Sequence, residues 1–227
     1  MGQKDQDRIA VVIPAYRAAQ TLSLLLPRVM DFVPPNDIIV IDDGSGDDTA
    51  KRCRDLGVTV IGHARNCGKG QALRTGFAAA QARGYRAVIT LDADGQHRPE
   101  HIPDFVKRFK ITGRQIIIGS RKSRFSDLPF DRYLSNRLTT VVVSLLAGQR
   151  IEDSQSGYRL ISASALRLVD TRSERYQMES EFLIKAGRLG LFIGHLPIDN
   201  QPSATSHINR FMDTLKFLAM ALRMMWN

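Results

Sequence analysis

The 227-residue chain holds only two cysteines, Cys53 and Cys67, and a single tryptophan. Two thiols this far apart cannot supply the close cysteine pairs of a structural zinc cage, and they suit a reducing compartment. No apolar run approaches the ~20 residues that cross a bilayer. The opening Met1–Arg8 is too polar for a signal peptide. These absences predict a cytoplasmic protein, peripheral on the cytoplasmic face of the inner membrane where it meets a bilayer at all. Repeats, low-complexity tracts and linkers are missing too, so residues 1–209 read as one domain and 210–227 as an appended amphipathic helix.

Two nucleotide-binding signatures are absent as well. No G-x-G-x-x-G follows the first apolar run, which excludes a dinucleotide-dependent dehydrogenase. Gly68-Lys69-Gly70 lacks the Ser or Thr that a P-loop needs after its lysine, and Gly62 stands at the wrong distance upstream. Aromatics make up only 7% of the chain and no nucleic-acid motif is present, so no nucleic-acid partner is expected. Acidic residues are also outnumbered. The net charge of +9 favours anionic partners such as nucleotides and acidic lipid headgroups.

What is there is an alternation of two periods. Short β-branched runs at Ile9–Ile13, Ile38–Ile41, Val58–Ile61, Ala87–Leu91 and Ile116–Ile118 read as buried strands. Between them, Ala18, Leu22, Leu25, Leu26 and Val29 recur at helical spacing, as do Ala72, Leu73, Gly76, Phe77 and Ala80. Repeated β-α-β units predict an α/β fold, Rossmann-like, with a mostly parallel sheet and helices on both faces. Ligands then bind beyond the strands' carboxyl ends. Further on, Tyr133–Ala147 reads as a helix with an unusually apolar face, and Arg210–Trp226 as a basic amphipathic one suited equally to a membrane interface and to packing on the core or a second subunit.

The strand ends carry the chemistry. The fourth run gives way to Asp92-Ala93-Asp94-Gly95-Gln96-His97, two carboxylates that the strand period of two can aim to one side. Crowding two carboxylates costs free energy unless a proton or cation joins them, so the spacing suits Mg²⁺ or Mn²⁺ bridging to phosphate oxygens. Taken alone, the triplet reads better as a solvated Asp-Gly turn; its neighbours along the sheet edge favour the cation. Asp42 and Asp43 end the second run; one of them suits a nucleobase or ribose, the other a turn or helix cap. Lys69, between glycines at a helix start, can reach a phosphate; otherwise it merely opens the helix.

Six segments then stand in the order seen in family-2 glycosyltransferases: Val12-Ile13-Pro14-Ala15-Tyr16, Val40-Ile41-Asp42-Asp43-Gly44-Ser45, Asn66-Cys67-Gly68-Lys69-Gly70, Asp92 to His97, Gly119-Ser120-Arg121, and Asp153-Ser154-Gln155-Ser156-Gly157-Tyr158-Arg159. The branch this set most resembles contains dolichyl-phosphate mannosyltransferases and bacterial polyprenyl-phosphate enzymes. The resemblance implies a GT-A fold, a GDP- or UDP-sugar donor, a divalent cation and inversion at the anomeric carbon. It implies that Pro14, Tyr16 and Asp42 or Asp43 line the nucleoside, and that Asp92, Asp94 and Gln96 hold the cation. Arg121 would meet the phosphates or the acceptor, and Asp153, Ser156 and Arg159 would frame the acceptor side. Asp94, Asp153 and Arg121 are then the catalytic candidates, with Lys69 and Asp92 on the donor phosphates.

A lipid-phosphate acceptor needs no strong base, whereas a soluble or glycan hydroxyl would require one, for which Asp153 or Glu179 are the candidates. Glu179 is equally a solvated acid in the first turn of a helix. Two other enzymatic and signalling readings fit less well. A sugar-nucleotide pyrophosphorylase needs a glycine-rich basic loop where Pro14-Ala15-Tyr16-Arg17 stands, and a Mg²⁺-binding receiver module ends near half this length. The residues specify neither base nor sugar.

Overall fold

The computed structural model describes residues 8–121, 130–173, 175, 177–199 and 221, with side chains in the first helix after the gap described from 133. In chain order its elements are β1 (Ile9–Ala15), α1 (Ala19–Met30), β2 (Ile38–Asp42), α2 (Thr49–Asp55), β3 (Thr59–Gly62), α3 (Lys69–Ala82), β4 (Ala87–Thr90), α4 (Ile102–Thr112), β5 (Ile116–Arg121), α5 (Phe130–Ala147), β6 (Arg159–Ser162), α6 (Ala163–Leu168), α7 (Gln177–Arg188) and β7 (Ile193–Ile198). The strands form one sheet in the order β3-β2-β1-β4-β6-β5-β7. Every pairing is parallel except those of β6, which runs antiparallel to β4 and β5.

Alternation along each strand divides the core into two layers. Val12, Ile39, Ile41, Ile116 and Ile118 face α3, α5 and α7. Their neighbours Val11, Ile13, Ile38, Val40 and Ile117 face α1, α2 and α4. Strands apolar on both faces read as continuous β-branched runs, which is why the sequence pattern locates them. Strand β1 extends past the sequence-based end, through Pro14 to Ala15, with Pro14 in register opposite Ile41. Proline's fixed φ suits an extended strand, and the Asp43 N–H closes the end by donating to the Ala15 carbonyl at 2.8 Å.

The apolar row expected on the helix after Tyr133 turns outward. Leu134, Leu138, Val141 and Leu145 are exposed, while Val143 and Ala147 enter the core. Residues 200–220 and 222–227, which include nearly all of the expected C-terminal helix, lie outside the described residues.

Helices α5 and α7 approach closely at Gly187, where an added Cβ would run into the carbonyl of Ala147. Alanine raises helix propensity by roughly 0.5–1 kcal/mol over glycine, but overpacking costs about 1–3 kcal/mol. The obstacle here is backbone and cannot swing away. Gly187→Ala should therefore lower stability on balance, read as an earlier urea midpoint with an unchanged denaturant slope.

Candidate active site

The polar ends of β2, β4 and β5 converge with the loop before β6 and the starts of α3 and α7. Asp92 leaves β4 just beyond Leu91, and Lys69, the first residue of α3, reaches it: Nζ lies 2.7 Å from Asp92 Oδ1 and 2.9 Å from Glu179 Oε2. Lys69 thus spans the two carboxylates. Burial alone would push the Asp92 carboxyl up, yet the Lys69 ammonium, with the Arg121 charge behind it, holds it down at about 2. Burial would lower the lysine, and Asp92 and Glu179 outweigh it, raising Lys69 above its usual range. Both groups stay charged.

Asp94 stands at the open side of the same turn, where its Oδ1 accepts the Gln96 N–H at 2.9 Å. Desolvation and then the neighbouring Asp92 charge raise its carboxyl. A carboxylate pair in which one member is raised by the other is a donor set that a hard divalent cation would relieve. The oxygen-only chemistry fits Mg²⁺ or Mn²⁺, with Asp92, Asp94 and the side chain of Gln96 as the residues to hold it.

Two residues outside the sequence-based site hold Asp92 in place. Gly157 packs against it so tightly that a Cβ there would lie 2.5 Å from Asp92 Oδ2. His97 is buried and stacks on Tyr158, with ring centroids 5.0 Å apart. Burial pulls its imidazole down to about 4, so it is neutral, and its Nδ1 accepts the Asp92 N–H at 3.2 Å. Both lie inside the quoted motifs, but only their neighbours in space reveal the role.

Arg121, at the end of β5, makes a two-pronged bond to Asp153: Nε to Oδ2 at 2.6 Å and an NH group to Oδ1 at 2.9 Å. Desolvation would raise Asp153, and the guanidinium overrides it and lowers the carboxyl. Burial opposes the Arg121 charge, but Asp153 and then Asp92 and Asp94, which lie close enough to act on it, raise it. This joins the two clusters into one field.

Arg159 and Ser156 stand elsewhere than an acceptor-facing role requires. Arg159 is buried and donates to the carbonyls of Ser156, Glu179 and Ser154 at 2.8, 2.9 and 2.9 Å. Ser156 is fully buried beneath it. Arg159 therefore ties the Asp153 loop to the start of α7, and its buried charge is satisfied by carbonyl dipoles.

At β2 the acidic pair divides its labour. Asp43 is the anchor: Oδ1 meets His63 Nδ1 at 2.6 Å and accepts the Cys67 N–H at 2.9 Å, while Oδ2 accepts the Gly68 N–H at 2.8 Å. Asp42 gives only Oδ1 to the Ser45 N–H and hydroxyl, and Oδ2 makes no hydrogen bond among the described residues. Gly44, at φ 70°, lets this turn pass against Arg65, whose carbonyl carbon would lie 2.5 Å from an added Cβ. Tyr16 is 45% exposed at the rim, whereas Pro14 is buried within β1.

The scaffolding role of Arg159 has a measurable consequence. Arg159→Leu strips three buried carbonyls of their partner, at roughly 1–3 kcal/mol for each group left unsatisfied. The variant should melt well below the wild type even with no substrate present. A stable Arg159→Leu protein defective only in turnover would return the residue to a ligand-binding role.

Comparison with known proteins accords with this geometry. The family model described as glycosyl transferase family 2 matches residues 10–169. The undecaprenyl-phosphate mannosyltransferase of Micrococcus luteus is 30% identical over 202 residues, covering 84% of this chain and 82% of that protein. The UDP-N-acetylglucosamine–dolichyl-phosphate N-acetylglucosaminyltransferase of Methanococcus voltae is 32% identical over 212 residues, covering 84% of each. In structure, glucosyl-3-phosphoglycerate synthase of Mycobacterium tuberculosis, solved with Mn²⁺, UDP and glucosyl-3-phosphoglycerate, superposes with a TM-score of 0.80 at 21% identity, over 97% of this chain and 81% of that one. The expected GT-A fold is thereby found, and the chain belongs to glycosyl transferase family 2.

Proposed function

We propose that this glycosyltransferase moves a sugar from a nucleoside-diphosphate sugar to a polyprenyl phosphate, with inversion and with the help of Mg²⁺ or Mn²⁺, on the cytoplasmic face of a membrane. The observation that carries the acceptor assignment is the pairing of both candidate bases. Asp153 is clasped by Arg121 and held low, and Glu179 is paired with Lys69. Asp153, stabilised as its anion, is a poor proton acceptor, and the Glu179 carboxylate is already engaged by an ammonium. A hydroxyl acceptor needs a base, while a lipid phosphate arrives already anionic. The names of the Micrococcus and Methanococcus relatives point the same way.

In this reading Asp42 Oδ2 accepts from the nucleoside and the Tyr16 ring flanks it at the rim. Pro14 backs the turn from within the sheet. A divalent cation held by Asp92, Asp94 and Gln96 would neutralise the diphosphate. Lys69, sharing Asp92, faces the same phosphates. Arg121, kept straight by Asp153, draws the acceptor phosphate toward the sugar. The acceptor oxygen forms its bond to the anomeric carbon as the bond to the diphosphate oxygen breaks on the opposite side, and the electron pair leaves with the nucleoside diphosphate. The outward row Leu134, Leu138, Val141 and Leu145 on α5, with the net charge of +9, supports an anionic membrane as the acceptor's setting.

A panel of UDP- and GDP-sugars offered with undecaprenyl phosphate should give label that extracts into organic solvent, and a chelator should abolish it. Transfer confined to soluble hydroxyl acceptors would overturn the lipid-phosphate reading. Asp94→Ala should fold normally, because the residue is exposed beyond β4. Its turnover should fall by about 10²–10³, the usual loss when a group stabilising transition-state charge is removed. Undiminished turnover would remove Asp94 from the cation site.

A further inference from the structure

We propose that Asp43, His63 and Cys67 form a second cation site, separate from Asp92 and Asp94, for a borderline-soft divalent metal of the zinc class. The three residues come from the end of β2, the residue after β3 and the loop entering α3, and their ligand atoms all lie within 4.8 Å of one another. A carboxylate, an imidazole and a thiolate make a mixed oxygen, nitrogen and sulfur set. Thiolate and imidazole favour zinc over the hard ions that suit the all-oxygen set at Asp92 and Asp94. The two sites therefore sort metals by softness.

The surroundings are those of an oriented metal site. His63 Nδ1 points at Asp43 Oδ1, and its other nitrogen, Nε2, lies 3.0 Å from Thr75 Oγ1. A hydroxyl partner on the far nitrogen fixes the ring and leaves Nδ1 for the metal. The Cys67 and Gly68 N–H groups hold both oxygens of Asp43. Cys67 is only partly buried, which leaves an entry path, whereas Cys53 is fully buried in the core. As a ligand through Nδ1, His63 carries its ring proton on Nε2, facing Thr75 Oγ1, and metal entry releases the Cys67 thiol proton to solvent. Three protein ligands leave a fourth position for water. Occupancy would tie β2, β3 and α3 together at the edge where the nucleoside is proposed to sit.

Co²⁺ is the probe, because a thiolate ligand gives a sulfur-to-cobalt charge-transfer band that carboxylates cannot produce. The full chain, reduced and metal-free, should develop this band with one equivalent of Co²⁺ and lose it on addition of Zn²⁺. Cys67→Ser keeps the backbone N–H that Asp43 needs, so it should stay folded by circular dichroism yet show no band. His63→Gln should weaken Co²⁺ binding by about tenfold or more. Asp94→Asn should keep the band. Zn²⁺ should also raise the melting temperature of the wild type more than that of Cys67→Ser. No band in the wild type, or a band that survives in Cys67→Ser, would overturn the proposal. Neither result depends on sugar transfer, so failure here leaves the proposed reaction standing.

Discussion

Asp92 must remain an anion while partly withdrawn from water, and the architecture of the site follows from that demand. Burial opposes its charge; Lys69 supplies the compensation, and His97 stays neutral so that its Nδ1 can accept the Asp92 N–H. Each partner arrives from a different element: α3 for Lys69, the loop after β4 for His97, the loop before β6 for Gly157. A carboxylate held this way is already ionised, and its negative field, together with Asp94, is what the proposed cation would neutralise.

The same economy governs the loops. Asp43 gathers the Arg65–Gly68 turn, Asp153 straightens Arg121, and Glu181 accepts the N–H groups of Arg172 and Ser173 ahead of α7. Arg159 does the reverse, collecting carbonyls from the Asp153 loop and α7. Charged side chains here spend their charge on backbone dipoles, which fixes loop positions beyond the reach of hydrophobic packing. Among the described residues of the site, Asp153 and Glu179 are engaged by cations, which is the basis for the proposed phosphate acceptor.

The two-layer core makes those loops independent of the packing beneath them. Residues alternating between α1, α2 and α4 on one face and α3, α5 and α7 on the other hold every strand on both sides. Strand ends on one edge can then carry acids and glycines whose replacement alters the site before it alters the core. β6 is the exception in direction, and its reversal brings the loop holding Asp153, Ser156 and Gly157 back to the end of β4. Leu160-Ile161 is apolar in the sequence, but nothing local reveals that reversal.

The first five strands, the helical faces of α1 and α3, and the placing of acids at strand ends were determined by the sequence alone, because periodicity and turn chemistry are local properties; β6 and β7 were not among the runs it showed. The motif order sufficed for the family. Tertiary structure decided the partners: that Lys69 stands between Asp92 and Glu179, that Arg121 clasps Asp153, that His63 meets Asp43 beside Cys67, and that Arg159 is buried among carbonyls. It also decided that the apolar row of α5 looks outward. These outcomes depend on strand order and on the path of loops over the sheet edge, which bring together residues far apart in the chain. Charge pairing across such distances leaves no local pattern to read.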